Sequence, residues 1–347
     1  MKAALYDRMG PARDVLKVTE TERPEPGPGE VRVRVLVSAI NPTDVQARSG
    51  AVPRPIDGFQ IPHQDGAGVI DAVGDGVDPA RVGQRVWLFM AAAGRRWGTA
   101  AEWTVVPARQ AVPLPDGVDL ELAASLGVPA ITAHRCLFAD GPVTGRATLV
   151  AGGAGAVGHF SIELAKWAGA RVASTVSSPE KAELARAAGA DLVVNYRESD
   201  VVTQLRPFAE HLDRIIEVAL GANLEADLAL SGPATALVMY AATGADPVLP
   251  IRACMSANVT LRFVLLYGVP APAIDEAVHD INVALAAGAL TPLPPHRFPL
   301  DDIAAAHEAV EKGVTGKVFV VPVSQGSLSG LSGPSGPSGL SAYLGPK

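Results

Sequence analysis

The sequence predicts an α/β chain of two units, a mostly antiparallel, barrel-like β unit and a doubly wound parallel sheet. Three observations carry this. The first third is a run of short strands broken by glycine and proline turns. From about residue 119, strands alternate with single helices, which implies parallel pairing through right-handed crossovers. The chain has 347 residues, 48% apolar and 19% charged, enough for two full cores.

In order, "RPEPGPGE" forms a turn, and "EVRVRVLVSAI" (Glu30–Ile40) alternates arginine and valine as a half-buried strand does. "GAGVIDAVGDGV" and "GQRVWLF" continue the β unit. "ATLVA" is a short buried strand, and "AVGHFSIELAKWAG" has helical spacing and a C-capping Gly169. "RVAST" follows as a strand. The next helix opens with Ser178 as cap and Pro179 in its first turn. "LVVN", "RIIEV" and "TALVMY" are later strands. Two helices, "IDEAVHDINVALAAG" and "LDDIAAAHEAVEKG", and the strand "KVFVVPV" are expected to complete the first unit. The β unit is thus expected over residues 1–120 and 265–322, and the parallel sheet over 121–264. Residues 323–347 form a Gly/Ser/Pro tail that cannot bury enough surface to fold alone.

Composition excludes several functions. The net charge is −7 and no basic cluster is interleaved with aromatics, so neither nucleic acid nor an anionic membrane is an expected partner. Cys136 and Cys254 are the only cysteines, so a disulfide framework is not expected, a four-cysteine zinc site is excluded, and a reducing cytoplasm fits. Leu228–Ala245 is uncharged and long enough to span a bilayer, but Gly232-Pro233 makes a turn plus a buried strand the better reading. The N-terminal residues show no signal-peptide core.

Gly153, Gly155 and Gly158 form G-x-G-x-x-G between an expected strand and an expected helix. Gly153 allows the tight turn, Gly155 a close approach of backbone to a pyrophosphate, and Gly158 close packing of helix on strand. The free N–H groups of Ala156, Val157 and Gly158 then face the phosphates at the positive end of the helix dipole. At the end of the second strand, "ASTVSSPEK" offers no acid for a ribose 2′-hydroxyl. Ser177, Ser178 and Lys181 suit a 2′-phosphate instead, so NADPH is the expected cofactor.

By these motifs the chain resembles the medium-chain dehydrogenase/reductase superfamily, in its quinone oxidoreductase and zeta-crystallin branch. The matching stretches are "SAINPTDVQARSG", "HQDGAGVIDAVGDGV", "GQRVW", "LGVPAITAHRCL", "GGAGAVG", "AGARV", "AGADLVVNYRE" and "AHEAVEKGVTGKVFVV". The resemblance covers about residues 1–322. It implies a GroES-like catalytic domain and a Rossmann domain with strand order 3-2-1-4-5-6, a cleft holding the nicotinamide, and a homodimer, or a tetramer, joined sheet edge to edge. It places Asn41 and Thr132 near the nicotinamide ribose and ring, Lys181 on the 2′-phosphate and Tyr196 beside the adenosine phosphate. Ala242 and Thr243 of "YAATG", and Leu265 and Tyr267 of "FVLLYG", match loops on the nicotinamide side; Lys317 lies where the last strand returns to the cofactor.

Zinc alcohol dehydrogenases of this superfamily carry a cysteine, a histidine and a second cysteine where this sequence has Asn41, Gln64 and Val128. That set does not provide tetrahedral soft or imidazole ligation, so a zinc-free enzyme is expected, although His63 and Asp65 flank the ligand position. Without a metal to acidify an alcohol, the fitting reaction is hydride transfer to a quinone or an α,β-unsaturated carbonyl, which delocalises the arriving charge. The branch commonly has a tyrosine lining the acceptor pocket where this chain has Gln46, a hydrogen-bonding side chain that does not stack. No tyrosine lies between Asn41 and Gly66 to serve as proton donor. His63 is a candidate donor to the acceptor oxygen. Asp44 and Arg48 are read as an ion pair fixing the loop, His134 as a packing residue, His307 as a surface or packing residue, and His159 as a second-layer residue. Alternatives are a non-catalytic NADPH-binding protein of crystallin type, or an enoyl reductase or tailoring enzyme of a biosynthetic pathway.

Overall fold

The structure is a computed structural model that describes residues 1–242 and 244–322. The first stretch runs β1 (Lys2–Leu5), α1 (Ala12–Val15), β2 (Lys17–Glu20), β3 (Glu30–Ala39), α2 (Pro42–Ser49), β4 (Asp65–Val73), β5 (Arg85–Leu88), β6 (Trp103–Pro107), β7 (Ala111–Pro113), α3 (Leu120–Ser125) and α4 (Gly127–Phe138). The middle runs β8 (Ala147–Ala151), α5 (Ala156–Trp167), β9 (Arg171–Val176), α6 (Pro179–Ala187), β10 (Leu192–Asn195), α7 (Val201–Leu205), β11 (Leu212–Glu217), α8 (Leu220–Leu230), β12 (Ser231–Met239), α9 (Ile251–Ala257), β13 (Thr260–Phe263) and α10 (Ala271–Ala286). β14 (Pro295–Pro299), α11 (Ile303–Glu311) and β15 (Lys317–Val321) close the described chain.

The chain folds as two units, one of Met1–Val128 with the described residues from Pro294 onward, the other of Pro129–Leu293. The first unit holds a seven-stranded sheet, β14-β15-β3-β4-β5-β7 with β6 also paired to β3. All its pairings are antiparallel except β14 with β15. β3 is buried more completely than its alternation suggests. β6 and β15 pair along one edge and β4 along the other, and Arg32 is 7% exposed because Glu25 and Asp71 take its guanidinium. Val31, Val33, Ile70, Val86, Leu88 and Val106 form one core patch here.

The second unit is a six-stranded sheet in the order β10-β9-β8-β11-β12-β13, every pair parallel. Counting β8 as the first strand, this is the 3-2-1-4-5-6 order of a doubly wound Rossmann sheet. Its core gathers Leu149, Ala173, Ile215, Leu224 and Leu237. Two boundaries differ from the sequence reading. The first unit extends to Val128, and it resumes at Pro294 rather than at residue 265, because α10 packs on α5 and buries Ile274, Ala277, Ile281 and Leu285 within the second unit. Gly232-Pro233, read as a turn, lies within β12, where the irregularity falls at Ala234 with φ +68°. The tail expected at 323–347 lies outside the described residues.

Candidate active site

In the parallel-sheet unit, the C-terminal ends of β8, β9 and β10 meet. The backbone N–H groups of Gly152 and Gly153 donate to the Thr175 carbonyl (3.0 and 3.2 Å), and Tyr196 N–H donates to the Val176 carbonyl (3.1 Å). The glycine turn, Ser177 and Tyr196 therefore converge. The left-handed residue of the turn is Gly152 (φ +71°), not Gly153 as the sequence suggested. Gly153 is needed for space: a Cβ there meets Ser174 Oγ at 2.1 Å. A Cβ on Gly158 meets the Gly152 carbonyl oxygen at 2.3 Å, the close packing expected of the third glycine. Gly155 is different. Its Cβ meets only the Gly152 oxygen, at 3.4 Å, so the protein itself leaves that side of the turn open.

α5 begins at Ala156, so the N–H groups of Ala156, Val157 and Gly158 have no intrahelical acceptor and lie at the positive end of a helix dipole. Such a cradle fits a pyrophosphate. Beside it, Ser178 caps α6 by accepting from Lys181 N–H (3.3 Å), while Lys181 Nζ donates to Ser177 Oγ (3.2 Å). Cap and ammonium thus act at once, and Glu180 stays in the helix. Tyr196 is 51% exposed. Ala242 and Leu265 are exposed at the ends of β12 and β13, joined by Val264 N–H to the Met239 carbonyl (2.8 Å). Tyr267 is half-buried and Thr132 is buried on α4. Thr243 lies outside the described residues. His134 is buried against Asp280 (2.8 Å) and Phe138, and His159 bonds the Thr291 carbonyl (2.9 Å), both supporting roles as read.

In the β unit, a buried polar chain surrounds Asn41. Lys317 Nζ donates to Asn41 Oδ1 (2.6 Å), Asn41 Nδ2 donates to Asp65 Oδ2 (2.6 Å), and Val128 N–H donates to the same carboxylate (2.9 Å). Asn41 N–H donates to Asp44 Oδ2 (2.8 Å) in a capping box at the start of α2. All four side chains, Asn41, Asp44, Asp65 and Lys317, are at most 4% exposed. Burial is the largest influence on each charge. It lifts Asp44 to about 7 and Asp65 to about 6, and lowers Lys317, while the mutual attraction of ammonium and carboxylates opposes these shifts.

The same donor set bears on zinc. Asn41 Oδ1 is occupied by an ammonium, Asn41 Nδ2 is a donor, Val128 offers only a backbone N–H already bound, and Gln64 is a neutral amide. No group of three or more His, Cys, Asp or Glu able to hold a metal occurs among the described residues. These residues do not fit a zinc ion.

Two further site expectations, those for His63 and Arg48, are corrected, and Gln46 is placed. His63 is 0% exposed with both ring nitrogens committed, Nδ1 to Ser38 Oγ (2.8 Å) and Nε2 to His307 Nε2 (3.0 Å). Thr99 Oγ1 donates to the Asp65 carbonyl, so the Ser38 hydroxyl must donate to Thr99 and accept from His63 Nδ1–H. His63 Nε2 then accepts from His307, and no N–H remains for an acceptor oxygen. Burial holds His63 well below its usual range and His307 at about 3, so both rings are neutral. Gln46 is exposed on α2, whose inward residues are Asp44, Val45, Ala47 and Arg48. Arg48 pairs with Glu311 and the Gly10 carbonyl rather than with Asp44.

A pocket does open in this unit. Tyr6, Asp44, Arg54, Gln60, His63 and Gln64 line it, and α2 contributes Asp44 and Ala47 but not Gln46. Tyr6 was missed because its signal is three-dimensional: antiparallel bonding of Tyr6 to Gln60 (3.0 and 2.8 Å) carries it beside the "HQD" segment.

Comparison with known proteins agrees with this geometry. Residues 27–116 match the alcohol dehydrogenase GroES-like domain, and residues 156–282 match the zinc-binding dehydrogenase family. The chain is 29% identical to a quinone oxidoreductase of Rattus norvegicus over 81% of this chain and 86% of that one. It is 29% identical to an NADPH-dependent alkenal/one oxidoreductase of Arabidopsis thaliana over 93% and 80%. A quinone oxidoreductase structure from Pseudomonas syringae superposes with a TM-score of 0.80 at 27% identity, covering 92% and 99% of the two chains. A mycobacterial protein solved with NADPH superposes at 0.81 and 29%, covering 93% and 100%. Glycine turn, strand order and relatives coincide: this chain is an oxidoreductase and belongs to the medium-chain dehydrogenase/reductase superfamily, in its quinone oxidoreductase-like branch.

Proposed function

We propose that the protein is an NADPH-dependent, zinc-independent reductase that passes hydride to a quinone or an α,β-unsaturated carbonyl. The observation that carries the cofactor assignment is the pairing of Lys181 Nζ with Ser177 Oγ at the end of β9, where an NAD site has an acid. In this reading Gly153, Gly155 and the first turn of α5 hold the pyrophosphate, Ser177 and Lys181 the 2′-phosphate, and Tyr196 lies beside the adenosine phosphate. Thr132, Ala242, Leu265 and Tyr267 belong to the nicotinamide side. The bound nicotinamide supplies hydride.

Asn41 is the remaining site residue of this reading. Its amide cannot rotate, because Lys317 fixes the oxygen and Asp65 the nitrogen. Lys317 therefore acts here through Asn41 and as a buried positive charge. A homodimer, or a tetramer, built on the β13 edge is part of the proposal; Phe263, 71% exposed there, supports it. No described helix is long and apolar enough to cross a membrane, and the cysteine usage suits a reducing cytoplasm. The test is NADPH oxidation with an ortho-quinone and a 2-alkenal, NADH in parallel. Turnover preferring NADPH is expected. Tight NADPH binding without turnover on either acceptor would leave only a binding protein and refute the reductase.

A further inference from the structure

The strand order of the parallel sheet reverses between β8 and β11, and in such sheets a ligand lies in the crevice beyond the strand ends at that point. One wall of the crevice is the glycine turn after β8. The other is the turn after β11, Val218–Ala219, to which the proposed function gives no role. The two walls lie side by side: a Cβ added at Gly152 meets Val218 Cγ1 at 3.3 Å.

Glu217, the last residue of β11, holds the second wall. It is 1% exposed, and its Oε1 accepts from Val218 N–H (2.7 Å), Ala219 N–H and Asn223 Nδ2 (3.0 Å). Its main-chain carbonyl accepts from Tyr240 N–H (3.3 Å), which ties the turn to the end of β12. Three donors on one oxygen favour the carboxylate form. Glu217 Oε2 takes none of them and is buried. Its neighbour Asp227, on α8, is 2% exposed, and Asp227 Oδ2 is likewise buried without an N–H or O–H partner. The two carboxyls hydrogen-bond each other. Two carboxylates cannot do that, so one of them carries a proton. Asp227 accepts from no backbone N–H among the described residues, and burial and then Glu217 lift it to about 9. The proton is therefore on Asp227.

We propose that Asp227, as a neutral acid donating its O–H to Glu217, is a positioning residue for the cofactor: it holds Glu217 in place, and Glu217 holds the Val218–Ala219 turn as a wall of the crevice. The proposal rests on the cofactor reading of the glycine turn. Few charges surround the pair. β8 and α7 carry no titratable side chain. Tyr240, just beyond β12, stays neutral because burial pushes its phenol up. Arg214 points to the opposite face of β11 from Glu217, and Asp213 is bound to Ala147 N–H (2.7 Å). On the helices, Glu225 and Arg252 are exposed and Cys254 is half-buried. When Asp227 ionises, two negative charges meet in a dry site, and the repulsion draws Glu217 off the turn.

The test titrates wild type, Asp227→Asn and Asp227→Leu with NADPH and with NADH by fluorescence from pH 7 to pH 10, with a thermal melt at each pH to confirm folded protein. The wild-type Kd is expected to rise about tenfold between pH 8 and pH 10 for both cofactors. Asp227→Asn keeps an N–H for Glu217, so it is expected to bind within about threefold of wild type at pH 7 and to lose that rise. Lys181 is unchanged in it, so any titration at the 2′-phosphate site is common to the two profiles. Asp227→Leu leaves Glu217 Oε2 unpaired and is expected to weaken both cofactors about tenfold at pH 7. If one variant does not fold, the other decides. A variant whose pH profile parallels wild type, or a folded Asp227→Leu with wild-type affinity, overturns this inference and leaves the cofactor reading intact. A wild type that binds neither cofactor overturns the cofactor reading, and this inference with it.

Discussion

Replacing Gly155 by alanine separates what the fold needs from what a dinucleotide needs. At φ −78° and ψ 161° any L-residue fits the backbone of Gly155, and the added Cβ meets only the Gly152 oxygen at 3.4 Å. The unfolded chain loses freedom, which stabilises by about 0.4–1 kcal/mol. Alanine is a poorer N-cap than glycine, which offsets a similar amount, about 0.5–1 kcal/mol. The melting temperature is therefore expected to stay nearly constant. Binding should not. A pyrophosphate resting on the first turn of α5 needs the space this methyl takes. Losing one charge-assisted N–H···phosphate bond costs about 1.5–3 kcal/mol, which raises the NADPH Kd roughly 10- to 100-fold. The assay is NADPH fluorescence titration beside a thermal melt. Gly158→Ala is the control with the opposite emphasis. Its Cβ lies 2.3 Å from the Gly152 oxygen and 2.9 Å from Gly153 Cα, so the fold itself must shift, at about 1–3 kcal/mol. A Gly155→Ala protein with unchanged melting and unchanged Kd would refute the placement of the pyrophosphate.

Lys181→Ala is expected to weaken NADPH by roughly 10- to 100-fold, the worth of a charge-assisted contact, with NADH affinity unchanged; paired titrations check this, and equal losses for both cofactors would contradict it. Asp227 is lifted to about 9, first by burial and then by the neighbouring Glu217. Folded protein keeps that proton while unfolded protein loses it near about 4, so stability is undiminished below that pH and falls as pH climbs to about 9. Asp227→Asn should therefore lose less melting temperature than wild type between about pH 6 and 9; parallel curves would count against a protonated Asp227. His307→Leu deprives His63 Nε2 of its donor and is expected to cost about 1–3 kcal/mol of stability with NADPH affinity unchanged, read by denaturant melts and titration.

The dinucleotide half was legible because its signals are local. β8 and β10 begin and end where their apolar runs do, α5 opens one residue after Gly155, and Ser178 caps α6 as its position before proline implied. The placement of α10 was not legible, since an amphipathic helix does not say which unit its apolar face will meet. The exposure of Gln46 was legible in the pattern, since it stands opposite the buried face formed by Asp44, Val45, Ala47 and Arg48. The pairing of His63 with His307 spans 244 residues and leaves no mark in sequence. Nor does the arrival of Tyr6 at Gln60, which depends on a bridge between distant segments. Each of these depends on tertiary pairing rather than on spacing along the chain.

Zinc-free, NADPH-dependent reduction is tested first by the initial rate of NADPH oxidation by the purified protein with a 2-alkenal, with NADH in parallel and with chelator present and absent. Chelator-insensitive turnover that favours NADPH by about tenfold or more is expected, following the charge-assisted contact at Lys181. Preference for NADH, or activity that chelator abolishes, would contradict that chemistry.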